Sequence, residues 1–161
     1  MNSVVCRYRD EVDREPFRFN ISGLDNIYLL SGYELHNTKH GPAVSFADTD
    51  GLNRALGRYL ANQRRGLTGR EWLFLRVEMD VSQFELGRLL HISAQQVARW
   101  EKEICAISGP ADILFRCMYL QHVGDKIDLR GFSERIGRSA AADWDSAVVN
   151  GKENWQLLRP A

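Results

Sequence analysis

The segment DVSQFELGRLLHISAQQVARWEK, residues 80–102, decides how this chain is read. Ser82-Gln83-Phe84-Glu85 is a capping box: the serine hydroxyl and the glutamate three residues on satisfy each other's exposed backbone donors, which starts a helix. Phe84, Leu86, Leu89 and Leu90 follow behind it. Ser93-Ala94-Gln95-Gln96 repeats the pattern and opens a second helix that carries Val97 and Trp100. Only Leu90-His91-Ile92 separates the two, a spacing that fits two short helices joined by a tight turn. Gly87 lies midway along the first of them, where glycine lowers helix propensity. A missing side chain there is expected to let another helix approach closely.

Working outward, Thr68-Gly69-Arg70-Glu71 is a further capping box, and Trp72, Leu75 and Met79 follow it at helical spacing. Leu73 and Val77 form a second apolar stripe on the same helix and are expected to meet the N-terminal module or another subunit. Ser108-Gly109-Pro110 starts a later helix, with proline expected at the first helical position, where its missing N–H does no harm. That helix carries Ile113, Leu114, Cys117, Met118, Leu120 and His122 and ends near Gly124.

Nearer the N-terminus, residues 27–30 and 33–35 read as strands of a hairpin around Ser31-Gly32, and residues 43–46 as a third strand of a small antiparallel meander. Asp48 or Asp50 caps a helix expected over 51–63, with Leu52, Ala55, Leu56, Tyr59 and Leu60 at helical spacing. In the tail, 132–142 reads as helix. Ala147-Val148-Val149 and Trp155-Gln156-Leu157-Leu158 flank Asn150-Gly151 as a strand pair expected to complete the N-terminal sheet. The fold class expected is therefore α+β, mainly α. It comprises an N-terminal β3α module over 1–65, a compact helical domain over 66–124 and a C-terminal tail over 125–161.

At 161 residues, 44% hydrophobic and 26% charged, the composition is that of a globular protein. No apolar run approaches the eighteen or so residues of a membrane span, and acidic Asp10, Glu11, Asp13 and Glu15 interrupt any leader-like N-terminus, so a cytoplasmic location is expected. Cys6, Cys105 and Cys117 are too few and too widely spaced for a disulfide framework or a paired-cysteine zinc site. His36 and His40 read as turn histidines, so no metal and no cofactor are expected. Formal net charge is +0, but its distribution is uneven, with −3 over residues 1–53 and +4 over 54–102. Arg54, Arg58, Arg64, Arg65 and Arg70 fall together with no acid between them, and a local basic stripe is what attraction to phosphate requires.

On Leu67-Thr68-Gly69-Arg70-Glu71, the 80–87 run, Leu89-Leu90-His91-Ile92-Ser93 and Val97-Ala98-Arg99-Trp100-Glu101-Lys102, the chain resembles the Xre/Cro-type helix-turn-helix regulators. Within them it looks closest to those with an MqsA-antitoxin-like DNA-binding domain, through Arg99-Trp100-Glu101-Lys102 and Pro110-Ala111-Asp112. The likeness covers about a third of the chain. His91 stands at a turn position usually glycine, Glu103 replaces the usual helix-ending glycine, and Gly87 replaces the usual alanine. The cysteine pairs of the zinc domain are missing, so the likeness carries the DNA-binding domain only.

The resemblance implies a DNA-binding transcription regulator, a repressor by analogy, whose recognition helix spans 94–102 and enters the major groove. Glutamine pairs bidentately with adenine and arginine with guanine, which makes Gln95, Gln96 and Arg99 the expected base readers. Gln95 and Arg99 share one helix face, and the MqsA-like pattern places its DNA contacts at those two positions. Ser82, Gln83 and Ser93 at helix starts, with Arg64, Arg65, Arg70 and Lys102, are the expected phosphate contacts. Expected partners are double-stranded DNA with a palindromic operator and a second copy of the chain. An antitoxin that binds a protein toxin and autoregulates its operon is the alternative. An enzyme is not expected: the chain holds no phosphate loop, nucleophile elbow or zinc-protease motif.

Overall fold

The computed structural model describes residues 3–136 and 154–158. The chain is α+β, and the elements run β1 (Val4–Tyr8), β2 (Phe17–Arg18), β3 (Ile27–Leu29), β4 (Tyr33–Thr38), β5 (Gly41–Phe46), α1 (Thr49–Ala61), α2 (Gly69–Glu78), α3 (Gln83–Leu90), α4 (Ala94–Glu101), α5 (Gly109–His122), α6 (Leu129–Arg135) and β6 (Trp155–Leu158). They fall into two compact units, residues 1–55 with 146–161, and residues 56–145. The division lies within α1, upstream of the 65–66 boundary read from the sequence. No helix among the described residues is long and apolar enough to cross a membrane.

In the first unit a four-stranded mixed sheet runs β2-β3-β1-β6. Strand β1 is central, parallel to β3 and antiparallel to β6. Its alternation buries Val4, Cys6 and Tyr8 on one face, against Ile27 and Leu29 from β3, as a half-covered strand should. Burial pushes the Cys6 thiol up to about 12. Trp155 of β6 is fully buried, packs on Tyr8 with ring centroids 5.1 Å apart, and donates its indole N–H to the Asp48 carbonyl at 2.8 Å.

The expected hairpin around Ser31-Gly32 does not form, because β3 and β4 belong to different sheets. Ser31 is buried, with its hydroxyl accepting from the Tyr8 N–H, and a Cβ on Gly32 would collide with Trp155 and Tyr8. The hairpin is instead β4–β5, closed at Lys39-His40, with Thr38 opposite Gly41. The expected antiparallel meander is thus replaced by a mixed sheet and a separate ribbon. Helix α1 begins two residues before the expected position, and Asp48 rather than Asp50 caps it through the Gly51 N–H at 2.8 Å.

The second unit packs short helices around Trp72, which meets Trp100 edge-on at 5.4 Å and Phe115 at 4.2 Å between ring centroids. Leu75, Leu86, Val97, Tyr119 and Leu120 complete the centre. Arg116 is wholly buried: its guanidinium pairs with Asp112 and donates to the Gln63 and Arg65 carbonyls, fixing the connector between α1 and α2. The capping boxes at Thr68 and Ser82 are both complete. Ser93 accepts from the Gln96 N–H, but the Gln96 side chain donates to Cys105 Sγ at 3.3 Å, so the third box is half made. Pro110 stands second in α5, after Gly109. Leu86 is buried, whereas Phe84, Leu89, Leu73 and Val77 are exposed. In the tail α6 begins at Leu129, ahead of the expected 132, while residues 137–142 of that expected helix and the expected strand at Ala147-Val148-Val149 lie outside the described residues.

Candidate nucleic-acid interface

Helices α3 and α4 are joined by a turn built on two local devices. His91 adopts the left-handed conformation (φ 56°, ψ 40°), and the Ile92 N–H closes back on the Gly87 carbonyl at 2.9 Å. Histidine enters this region more readily than bulky or branched residues, so the turn survives without glycine. A Cβ on Gly87 would lie 2.8 Å from the Ile92 carbonyl oxygen and 3.1 Å from the Ala94 nitrogen. The close approach at Gly87 is therefore by the turn and the first residue of α4, rather than by the body of another helix. Past α4, Glu103 also takes a positive φ of 56° and returns its N–H to the Trp100 carbonyl, the geometry that usually selects glycine.

Helix α4 is divided by its periodicity. Val97 and Trp100 are buried, while Gln95 and Arg99, four residues apart, are exposed on one face. Lys102 is exposed at the C-cap. Gln96 is half-buried and turned to Cys105, so the structure does not bring it to the side that Gln95 and Arg99 share. No acid stands in the first turn of α4. The first turns of α2 and α3 hold Glu71 and Glu85, and the Glu85 carboxyl is held below its ordinary value by hydrogen bonds from Ser82. A helix start attracts anions through its N–H groups and dipole, and a carboxylate already seated there competes. Of the three starts, that of α4 is the one without this competition.

The remaining expected phosphate contacts scatter. Ser82 and Ser93 are exposed caps. Gln83 instead donates its amide to Glu101 Oε2 at 2.6 Å. Glu101 is a buried carboxylate that pairs with Arg76 through Nε at 2.5 Å and Nη2 at 3.2 Å, and Arg76 Nη1 donates to the Val81 carbonyl at 2.8 Å. The pairing is not legible in the sequence, where Glu101 stands out only as part of the 97–102 motif: twenty-five residues separate it from Arg76 and no periodicity links them.

The basic stripe is weaker than its composition suggests. Arg58 is buried, bound to Asp125 at 2.8 Å and to the Val123 carbonyl. Arg65 forms a two-pronged pair with Glu71 at 2.8 and 2.5 Å. Arg64 is half-buried, and Arg70 is exposed in the first turn of α2. Among the described residues no group of three or more His, Cys, Asp or Glu side chains could hold a metal ion. No family model matches the chain, and no curated protein or solved structure matches it.

Proposed function

We propose that the chain is a sequence-specific regulator that binds double-stranded DNA, with α3, the His91 turn and α4 acting as an Xre/Cro-like helix-turn-helix and α4 lying in the major groove. The observation that carries this reading is the division of α4: Gln95 and Arg99 exposed on one face, Val97 and Trp100 buried on the other, and an acid-free first turn. An amide and a guanidinium on one helix face suit bidentate recognition of adenine and guanine edges. Gln96 is left out of the reading pair, and its bond to Cys105 positions the loop that follows the helix. Ser93, Lys102 and Arg70 supply phosphate contacts, which set register without specifying sequence.

The test is a gel shift on the duplex immediately upstream of the chain's own reading frame, run at two salt concentrations with nonspecific competitor. Affinity is expected to fall with salt. Arg99→Ala is expected to cost about 1–3 kcal/mol on the cognate duplex and to narrow the gap to a scrambled one. Equal binding of wild type and Arg99→Ala to both duplexes would remove α4 from the interface.

A further inference from the structure

The ribbon β4–β5 is anchored where Tyr33 stacks on Phe17 at 5.0 Å and Phe46 packs against Phe17 and Phe19. Beyond that anchor every residue from 34 to 40 is exposed, and Leu35 is 70% exposed. A two-stranded ribbon is marginal in water unless something covers it.

Pro42 reveals which edge is open. Proline has no N–H to give, so its pair with Asn37 is a non-hydrogen-bonded pair of the ladder, and the alternate pairs Glu34 with Ser45, His36 with Ala43 and Thr38 with Gly41 exchange the bonds. The N–H and C=O of Leu35 and Asn37 therefore point away from β5, to the outer edge of β4. On the outer edge of β5 the same alternation presents the Pro42 ring in place of a donor, a device that blunts an edge. Among the described residues β4 pairs with no strand but β5. One edge of the ribbon is closed by proline; on the other the Tyr33 carbonyl accepts from Arg14 Nη1 at 3.0 Å, and Leu35 and Asn37 offer their backbone groups beside an exposed leucine side chain.

We infer that the outer edge of β4 is an interaction surface whose partner is β4 of a second copy of this chain, paired antiparallel about a two-fold axis at Leu35. In that register Leu35 faces Leu35 and the two exchange both backbone bonds. Glu34 faces His36 in both directions, so carboxylate meets imidazole rather than carboxylate, a complementarity that cross-strand pairs reward. The two apolar ribbon faces, Leu35 with Pro42 and Val44, become continuous on one side of the joined sheet. Slipping the register by one residue sets each apolar face against a polar one. The pairing stands on the ribbon alone; its use, presenting two copies of α4 to two operator half-sites, rests on the DNA-binding proposal.

The experiment measures the mass of the full chain by light scattering at micromolar concentration without DNA, where a dimer is expected. Leu35→Pro removes an outward N–H and leaves the ribbon's own ladder intact; it is expected to be monomeric with unchanged far-UV circular dichroism. Leu35→Cys in a Cys105→Ser background is expected to form a disulfide-linked dimer on mild oxidation. Hydrogen-bonded antiparallel partners sit about 5.5 Å apart at Cα, within disulfide reach. Val44→Cys in the same background is expected to remain unlinked. A monomeric wild type, a Leu35→Pro variant that stays dimeric through another surface such as the Leu73 and Val77 stripe, or a dimeric Leu35→Cys that fails to link would each overturn the pairing. A monomer that still shifts cognate duplex sinks the pairing and spares the DNA reading. A Leu35-dependent dimer that binds no duplex does the reverse.

Discussion

Glu101→Ala is the sharpest probe of how the second unit is held. The Glu101 side chain is 5% exposed and that of Arg76 13%, and the carboxylate receives two guanidinium bonds and the Gln83 amide. Removing it leaves a guanidinium in a site nearly closed to water, with one remaining bond to the Val81 carbonyl, and takes away the acceptor of Gln83. Truncating one partner of a buried pair costs about 3–5 kcal/mol, because the other charge keeps its desolvation penalty and loses its compensation. Against a whole stability of roughly 5–15 kcal/mol, that is a large shift. Urea unfolding followed by far-UV circular dichroism reads it directly, since the helices from α2 onward belong to this unit. The double variant Arg76→Met with Glu101→Leu is expected to recover most of the loss, because it removes both buried charges and restores apolar packing. A loss below about 1 kcal/mol for Glu101→Ala, or a double variant no more stable than the single, would refute a desolvated pair.

Two further substitutions probe the helix pair. His91→Gly is expected to raise stability by up to about 1 kcal/mol in thermal unfolding, since His91 sits at φ 56° and glycine reaches that region without the Cβ penalty; a decrease would mean that the imidazole makes a favourable contact. Glu85→Gln tests the α3 cap by pH. The Glu85 pKa is lowered chiefly by the Ser82 hydrogen bonds, so the wild type is expected to be more stable than the variant above the usual carboxylate range. That advantage should vanish as pH falls through the lowered value, and a difference that persists at lower pH would assign it to shape rather than charge.

What was legible in the sequence was local. Thr68 with Glu71 and Ser82 with Glu85 lie three residues apart, so cap and partner are read from one short window, and the structure completes both boxes. The third window misled in part, because Gln96 found a sulfur acceptor nine residues away instead of its own N-cap. The N-terminal strands were harder. Val4–Tyr8 is half-covered, and nothing near it in sequence announces a partner: its neighbours begin at Ile27 and Trp155. Ser31-Gly32 has the composition of a turn, but its positions were chosen by close packing against Tyr8 and Trp155. The arginine stripe failed as a guide for the same reason. Arg58 binds Asp125 and Arg65 binds Glu71, so part of that positive charge serves the fold. On α4, by contrast, the helical repeat alone sets Val97 and Trp100 on the face opposite Gln95 and Arg99, and this is readable without the rest of the chain.

The position of β6 sets an order of events during synthesis. The central strand β1 is made well before one of its two neighbours, Trp155–Leu158. Helices α2 to α6 are made while β1 still lacks that neighbour and Tyr8 still lacks the indole that covers it. Nascent domains generally mature from the N-terminal end. Here the fourth strand of the sheet follows the helices α1 to α6 in the chain, so the second edge of β1 is closed only after those helices have been made.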